Sequence, residues 1–187
     1  MRLAVLASGS GTILDAMAAG GLPISLVLVD RPCQAEEVAA GHGLPCELVQ
    51  RLSFGADFDR AGYSRRVAER LQAAGIELVA MAGFGTVLEQ PVFDAYAGRI
   101  LNTHPSLLPA FPGWHAVADA LEYGVKVTGC TVHVATLEPD AGPILSQRPV
   151  EVKPDDTEAT LHERIKAVER HMYICTIREV LDRGRVL

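Results

Sequence analysis

The chain has 187 residues, a formal net charge of −6, and a composition of 49% hydrophobic and 21% charged residues. That length suits one domain with a sizeable core, and no apolar run is long enough to cross a membrane. No cluster of Lys and Arg tracks a phosphate backbone, which disfavours nucleic-acid binding but leaves room for a local anion site.

Met1-Arg2 leads directly into the apolar segment Leu3–Ala7 and then Ser8-Gly9-Ser10-Gly11. A signal peptide needs a longer apolar stretch and a cleavage site, so the segment reads as a first strand and the protein as cytoplasmic. Thr12–Ala19 reads as a helix, Ile24–Val29 as a second strand, 34–40 as a helix and 46–49 as a short strand. Residues 57–74 carry a helical stripe at Ala61, Val67, Ala68 and Leu71, ended by Gly75. Residues 76–82 form a fourth strand and Ile100-Leu101 a fifth. This β-α repetition predicts an α/β fold with a parallel sheet covered on both faces.

The second half changes character. Residues 114–123 read as a helix closed by Gly124, while 126–135 and 143–152 read as strands joined by a short loop, predicting an antiparallel pair. The last helix follows Pro154-Asp155-Asp156-Thr157, where Asp156 or Thr157 caps the orphan amides. Leu161, Ile165, Val168, Met172 and Cys175 keep its period, and Gly184 ends it. With no repeat or linker in the pattern, one domain spans residues 1–187. The four cysteines, Cys33, Cys46, Cys130 and Cys175, form no C-x-x-C pair and have no His at metal-ligand spacing. Cys130 and Cys175, in apolar patterns, read as buried reduced thiols.

The stretch Asn102-Thr103-His104-Pro105-Ser106-Leu107-Leu108-Pro109 carries the chemistry. Pro105 biases its predecessor toward extended backbone, and side chains at i and i+2 of an extended segment share a side. Asn102 and His104 therefore face one space, at the carboxyl end of a buried strand, where open α/β sheets place ligands. A lone histidine is more often structural than catalytic; the proline frame, the same-face carboxamide and the strand-end position favour catalysis here. A candidate partner is Asp140, in the turn-rich Leu137-Glu138-Pro139-Asp140-Ala141-Gly142-Pro143. An aspartate beside an imidazole favours the imidazolium, suiting it to donate a proton near neutrality. His133 can face the same cleft, but a structural role is the simpler reading. His42, His115, His162 and His171 show no acid or base partner by spacing. Ser8-Gly9-Ser10-Gly11-Thr12 opens the first helix and fits a phosphate site or a plain tight turn. Arg60 reads as a solvated charge, and Lys166 with Glu169, at i and i+3, as a surface ion pair.

Asn102-x-His104-Pro-Ser-Leu-Leu-Pro, Phe111-Pro-Gly113, Thr128-Gly-Cys-Thr-Val-His133 and Asp140-x-Gly-Pro143 together resemble the folate-dependent formyltransferases. The resemblance runs almost end to end and implies a single-domain, Rossmann-like fold with a mixed, mainly parallel sheet and helices on both faces. It implies transfer of the formyl group of 10-formyltetrahydrofolate to the amine of glycinamide ribonucleotide in de novo purine (IMP) synthesis, without a metal. Asn102 and His104 would stabilise the tetrahedral oxyanion, and Asp140 would keep His104 protonated and orient a relay water. The pterin would lie along Gly85, Thr86, Val87 and Leu88 with Arg60 and Asn102. The substrate phosphate would sit on Gly11, Thr12 and Ile13, with Lys166 and Glu169 closing the site. The enzyme would be a monomer or homodimer.

The chain departs from the family pattern where Gly-Ser-Asn is replaced by Gly11-Thr12-Ile13, and Met-Arg by Gly85-Thr86. Trp114 stands for a leucine and Arg170 for a histidine. These departures spare the catalytic trio and touch both substrate sites. Two other readings stay open: the same trio acting on water or on a different amino sugar, and a non-catalytic domain that retains a folate pocket.

Overall fold

The computed structural model describes residues 1–53, 55 and 57–187, which form two compact units: Met1–Leu101 with Val186–Leu187, and Asn102–Arg185. The first unit holds β1 (Leu3–Ala7), α1 (Thr12–Ala19), β2 (Ile24–Val29), α2 (Gln34–Gly41), β3 (Cys46–Leu48), α3 (Arg60–Ala73), β4 (Leu78–Met81) and α4 (Gln90–Ala95). β5 (Ile100–His104) gives Ile100 and Leu101 to this unit and its last three residues to the second. β1 pairs in parallel with β2 and β4, β2 with β3, and β4 with β5. Leu3, Ala4, Val5, Leu6 and Ala7 are all fully buried, as a strand covered on both faces requires.

The chain winds outward from β1 to β3 and then returns to the other side of β1 with β4. Right-handed crossovers then place α1 and α2 on one face and α3 and α4 on the other, and α1 packs on α2 as α3 packs on α4. The winding reverses between β1 and β4, so the crevice above their carboxyl ends is the natural ligand position in this unit.

The second unit holds α5 (Ala116–Tyr123), β6 (Val127–Val134), β7 (Ile144–Glu151) and α6 (Glu158–Arg183). β6 and β7 pair antiparallel from Val127↔Glu151 to His133↔Ile144, with an irregularity between Val132 and His133. α6 packs on both strands and on α5. The seven strands follow the order β3-β2-β1-β4-β5-β6-β7, so the sheet is mixed and mainly parallel, as expected from the sequence.

Several boundaries differ from the sequence pattern. α3 starts at Arg60, not at residue 57, because the Asp59 carboxylate accepts the Gly62 amide at 2.8 Å and caps the helix there. α5 starts two residues later than the pattern suggests, at Ala116, and β5 continues three residues past Leu101, to His104. α4 escapes the sequence reading because six residues are too few to display a helical period. At the start of α6, Thr157 caps the Thr160 amide at 3.2 Å, while Asp156 accepts from the Thr160 hydroxyl and pairs with Arg164. The Arg164 guanidinium holds the Asp156 carboxyl well below the usual carboxylate range.

Candidate active site

Alternation along β5 sorts its last residues onto two sides. Thr103 turns one way and donates its hydroxyl to Glu169 Oε1 on α6 at 2.9 Å. Asn102 and His104 turn the other way, toward β6 and the loop that follows it. Asn102 Nδ2 lies 3.2 Å from His133 Nε2, and His104 Nδ1 lies 3.5 Å from Asp140 Oδ1. The same Asp140 oxygen is 3.7 Å from His133 Nε2. The carboxamide, two imidazoles and one carboxylate thus form a single cluster inside the second unit. His133, read from sequence as structural, is a member of it. Its place on an alternating strand let it face the same cleft, but only the folded chain brings it to Asn102.

The hydrogen bonds fix which ring nitrogens carry protons. His133 Nδ1 is 3.1 Å from the Val134 carbonyl, which only accepts, so Nδ1 donates and Nε2 accepts from Asn102. Burial pushes the His133 imidazole below its usual 6.5, opposed by the Val134 carbonyl and Asp140, so the ring stays neutral in that role. His104 Nε2 donates to the Phe111 carbonyl at 2.8 Å, and its Nδ1 faces the Asp140 carboxylate. Asp140 Oδ2 accepts the Gly113 amide at 2.9 Å, so the loop after β5 and the loop after β6 brace each other.

Both loops are held in conformations the sequence disfavours locally. Asp140 has φ +58° and Phe111 φ +52°, left-handed values uncommon outside glycine, although aspartate tolerates them best. A Cβ on Gly142 would stand 1.7 Å from the Val134 carbonyl oxygen, so only glycine lets the Asp140 loop press against β6. The Pro105-to-Pro109 segment is pinned as well. Thr131 Oγ1 donates to the Ser106 carbonyl at 2.7 Å and accepts the Leu108 amide at 3.1 Å, and Gln147 Nε2 donates to the Leu108 carbonyl at 2.8 Å. The Leu108-Pro109 bond is cis.

In the first unit, Gly11 is the N-cap of α1 at φ +71°, and a Cβ there would stand 2.9 Å from Ala35 Cα. The amides that follow it, at Thr12 and Ile13, have no intrahelical acceptor. Thr12 is exposed and Ile13 half-buried. Arg60 is exposed at the start of α3. Gly85 donates its amide to Ser8 Oγ at 2.6 Å, joining the ends of β4 and β1. The Thr86 side chain is buried and donates to Asp30 Oδ2 at 2.6 Å, so only its backbone can meet a ligand. Val87 is exposed and Leu88 buried.

Three further readings are corrected. Lys166 pairs with Glu163 at 2.9 Å, not with Glu169, which lies on the buried stripe of α6 with Leu161, Ile165 and Met172. Burial raises the Glu169 carboxyl, with Thr103 opposing. His42 does have an acid partner, Asp15 at 2.7 Å, too distant in sequence for spacing to show. Cys130 is buried, its thiol pushed up to about 12 by burial, but Cys175 is half-buried, 3.7 Å from His171 Nε2. Among the described residues no group of three or more His, Cys, Asp or Glu could hold a metal ion, and no helix is long and apolar enough to cross a membrane.

Comparison with known proteins places these features in context. The sequence model of the formyl transferase family matches residues 1–177. A phosphoribosylglycinamide formyltransferase of Mycobacterium tuberculosis is 44% identical over 188 residues, covering 98% of this chain and 86% of that protein. The crystal structure of glycinamide ribonucleotide transformylase 1 from Symbiobacterium toebii is similar with a TM-score of 0.87 at 41% identity, covering 93% of this chain and 84% of that one. That of phosphoribosylglycinamide formyltransferase from Bacillus halodurans gives 0.88 at 36% identity, covering 100% and 98%.

Proposed function

Because the chain belongs to the formyl transferase family, we propose that it transfers the formyl group of 10-formyltetrahydrofolate to the amine of glycinamide ribonucleotide, in the cytoplasm, as a step of purine biosynthesis. The observation that carries this reading is the position of Asp140 Oδ1, 3.5 Å from His104 Nδ1 and 3.7 Å from the imidazole that accepts from Asn102.

The substrate amine attacks the formyl carbon, and the carbonyl oxygen becomes an oxyanion. The second Asn102 Nδ2–H and the His104 Nδ1–H, whose 3.5 Å contact to Asp140 lets it be shared with the substrate oxygen, point donors at that charge, where preorganised dipoles act most strongly. Orientation is supplied from behind: His133 holds the carboxamide and Asp140 holds the imidazole. The Asp140 carboxylate relays the amine proton, through a water, toward the folate nitrogen that leaves. Gly11, Thr12 and Ile13 bind the phosphate through backbone amides and the Thr12 hydroxyl. Arg60, Gly85, Thr86, Val87 and Leu88 bind the folate, Thr86 through its backbone alone. No step calls for a metal, and the whole chain acts as one catalytic domain.

Purified protein given 10-formyltetrahydrofolate and glycinamide ribonucleotide should release tetrahydrofolate only when both are present. His104→Ala and Asp140→Ala should each lower kcat by about 10²–10⁴-fold in folded protein. Unchanged turnover in either variant rejects the mechanism. Ile13 motivates a second reading, since it removes a polar side chain from the first turn of α1. Formyl release independent of the ribonucleotide would favour water as the acceptor.

A further inference from the structure

Arg31 takes no part in the reading above. It follows β2 directly, and β2 and β4 flank β1 in the sheet. Yet Arg31 Nη2 lies 2.7 Å from the point a Cβ on Gly85 would occupy, just after β4, and Ser8 at the end of β1 is 3.6 Å from that point. The arginine side chain therefore crosses the carboxyl end of β1, over the place where the sheet reverses its winding. A side chain at position 85 would close that path.

The crossing is anchored. Asp30 is fully buried, its Oδ1 pairing with Arg31 Nε at 3.3 Å while its Oδ2 accepts from Thr86. The Arg31 side chain keeps 42% of its surface exposed. Its loop is stitched to the β1–α1 loop, since the Ala35 amide donates to the Gly9 carbonyl at 3.1 Å and Gly11 lies against Ala35. The Arg51 amide donates to the Asp30 carbonyl at 2.8 Å, and the Arg51 guanidinium feels the charges of both Asp30 and Arg31.

We propose that Arg31 binds the phosphate of the ribonucleotide substrate, its guanidinium supplying the side-chain donor that Ile13 lacks. This rests on the reading that the phosphate sits on Gly11, Thr12 and Ile13. A guanidinium offers phosphate two parallel charge-assisted hydrogen bonds, a geometry lysine cannot reproduce.

The test is steady-state kinetics on wild type, Arg31→Gln and Arg31→Lys, varying each substrate against a saturating level of the other. Arg31→Gln should raise KM for the ribonucleotide about 10- to 100-fold, the loss of one charged hydrogen-bonding group, with kcat and the folate KM little changed. Arg31→Lys should fall between. Inorganic phosphate, inhibiting competitively with the ribonucleotide, should weaken in parallel, and Ile13→Asn added to Arg31→Gln should recover part of the loss. An unchanged ribonucleotide KM overturns the proposal. A rise confined to the folate KM also overturns it and assigns the guanidinium to the folate carboxylates. If circular dichroism shows that Arg31→Gln does not fold, Gly85→Ala displaces the guanidinium while keeping the Asp30 pair, and must raise the same KM. Failure of the wild type to formylate the ribonucleotide would instead reject the functional reading. Calorimetry of phosphate on wild type and Arg31→Gln then still decides the proposal, equal affinity overturning it.

Discussion

His133 is a buried histidine that holds the Asn102 carboxamide in place. Its Nδ1 proton is committed to the Val134 carbonyl, so Nε2 accepts from Asn102 and orients the carboxamide. Burial lowers its folded-state pKa below 6.5, so the stability tied to the neutral ring is present above the unfolded value and is lost as pH falls through the folded one. A protonated ring would also set a donor against the Asn102 amide. Activity and stability of the wild type should therefore both decline on the acid side. His133→Gln, which can still accept, should soften that decline and keep most activity, whereas His133→Leu should lower kcat about 10- to 100-fold with substrate KM values little changed. Equal pH profiles for wild type and His133→Gln would remove His133 from this role. The Asn102–His104 pairing was legible in sequence because strand alternation is a local rule. The Asn102–His133 bond was not, because it joins two strands whose register only the folded sheet sets.

At the scale of an element, α6 buries a carboxyl group on the side that packs against the sheet. Glu169 is buried, meets Thr103, and has its carboxyl raised above the usual 4.5 by burial. The folded chain thus holds a proton that the unfolded chain releases. Stability from this group is greatest below the unfolded value and falls as pH rises toward the folded one. Glu169→Gln keeps an acceptor for Thr103 without the charge. It should melt about 2–4 °C above wild type at neutral pH, the shift that one kcal/mol gives a chain of this size, and level with it near pH 4. A difference that does not change with pH would show that charge burial is not its cause. Sequence periodicity found α6 and both of its ends, but it read Lys166 and Glu169 as partners because it cannot tell which side of a helix faces the sheet.

Over the whole molecule, β5 gives its first two residues to one compact unit and its last three to the other, and the chain returns Val186 and Leu187 to the first. If the chain acts as a single domain, heat or urea should unfold it in one transition seen alike by far-ultraviolet circular dichroism and by the fluorescence of Trp114, its only tryptophan. Two separated transitions would divide it. The sequence by itself determined the order of the strands and of every helix but α4, the reversal from parallel to antiparallel pairing, and the frame around Asn102 and His104, because periodicity, glycine and proline act within a few residues. Tertiary structure alone decided that Asp140 meets both His104 and His133, that Thr86 turns inward to Asp30, and that Arg31 lies across the end of β1. Those contacts join residues far apart in the chain, and their distances follow from packing and register, which no local signal encodes.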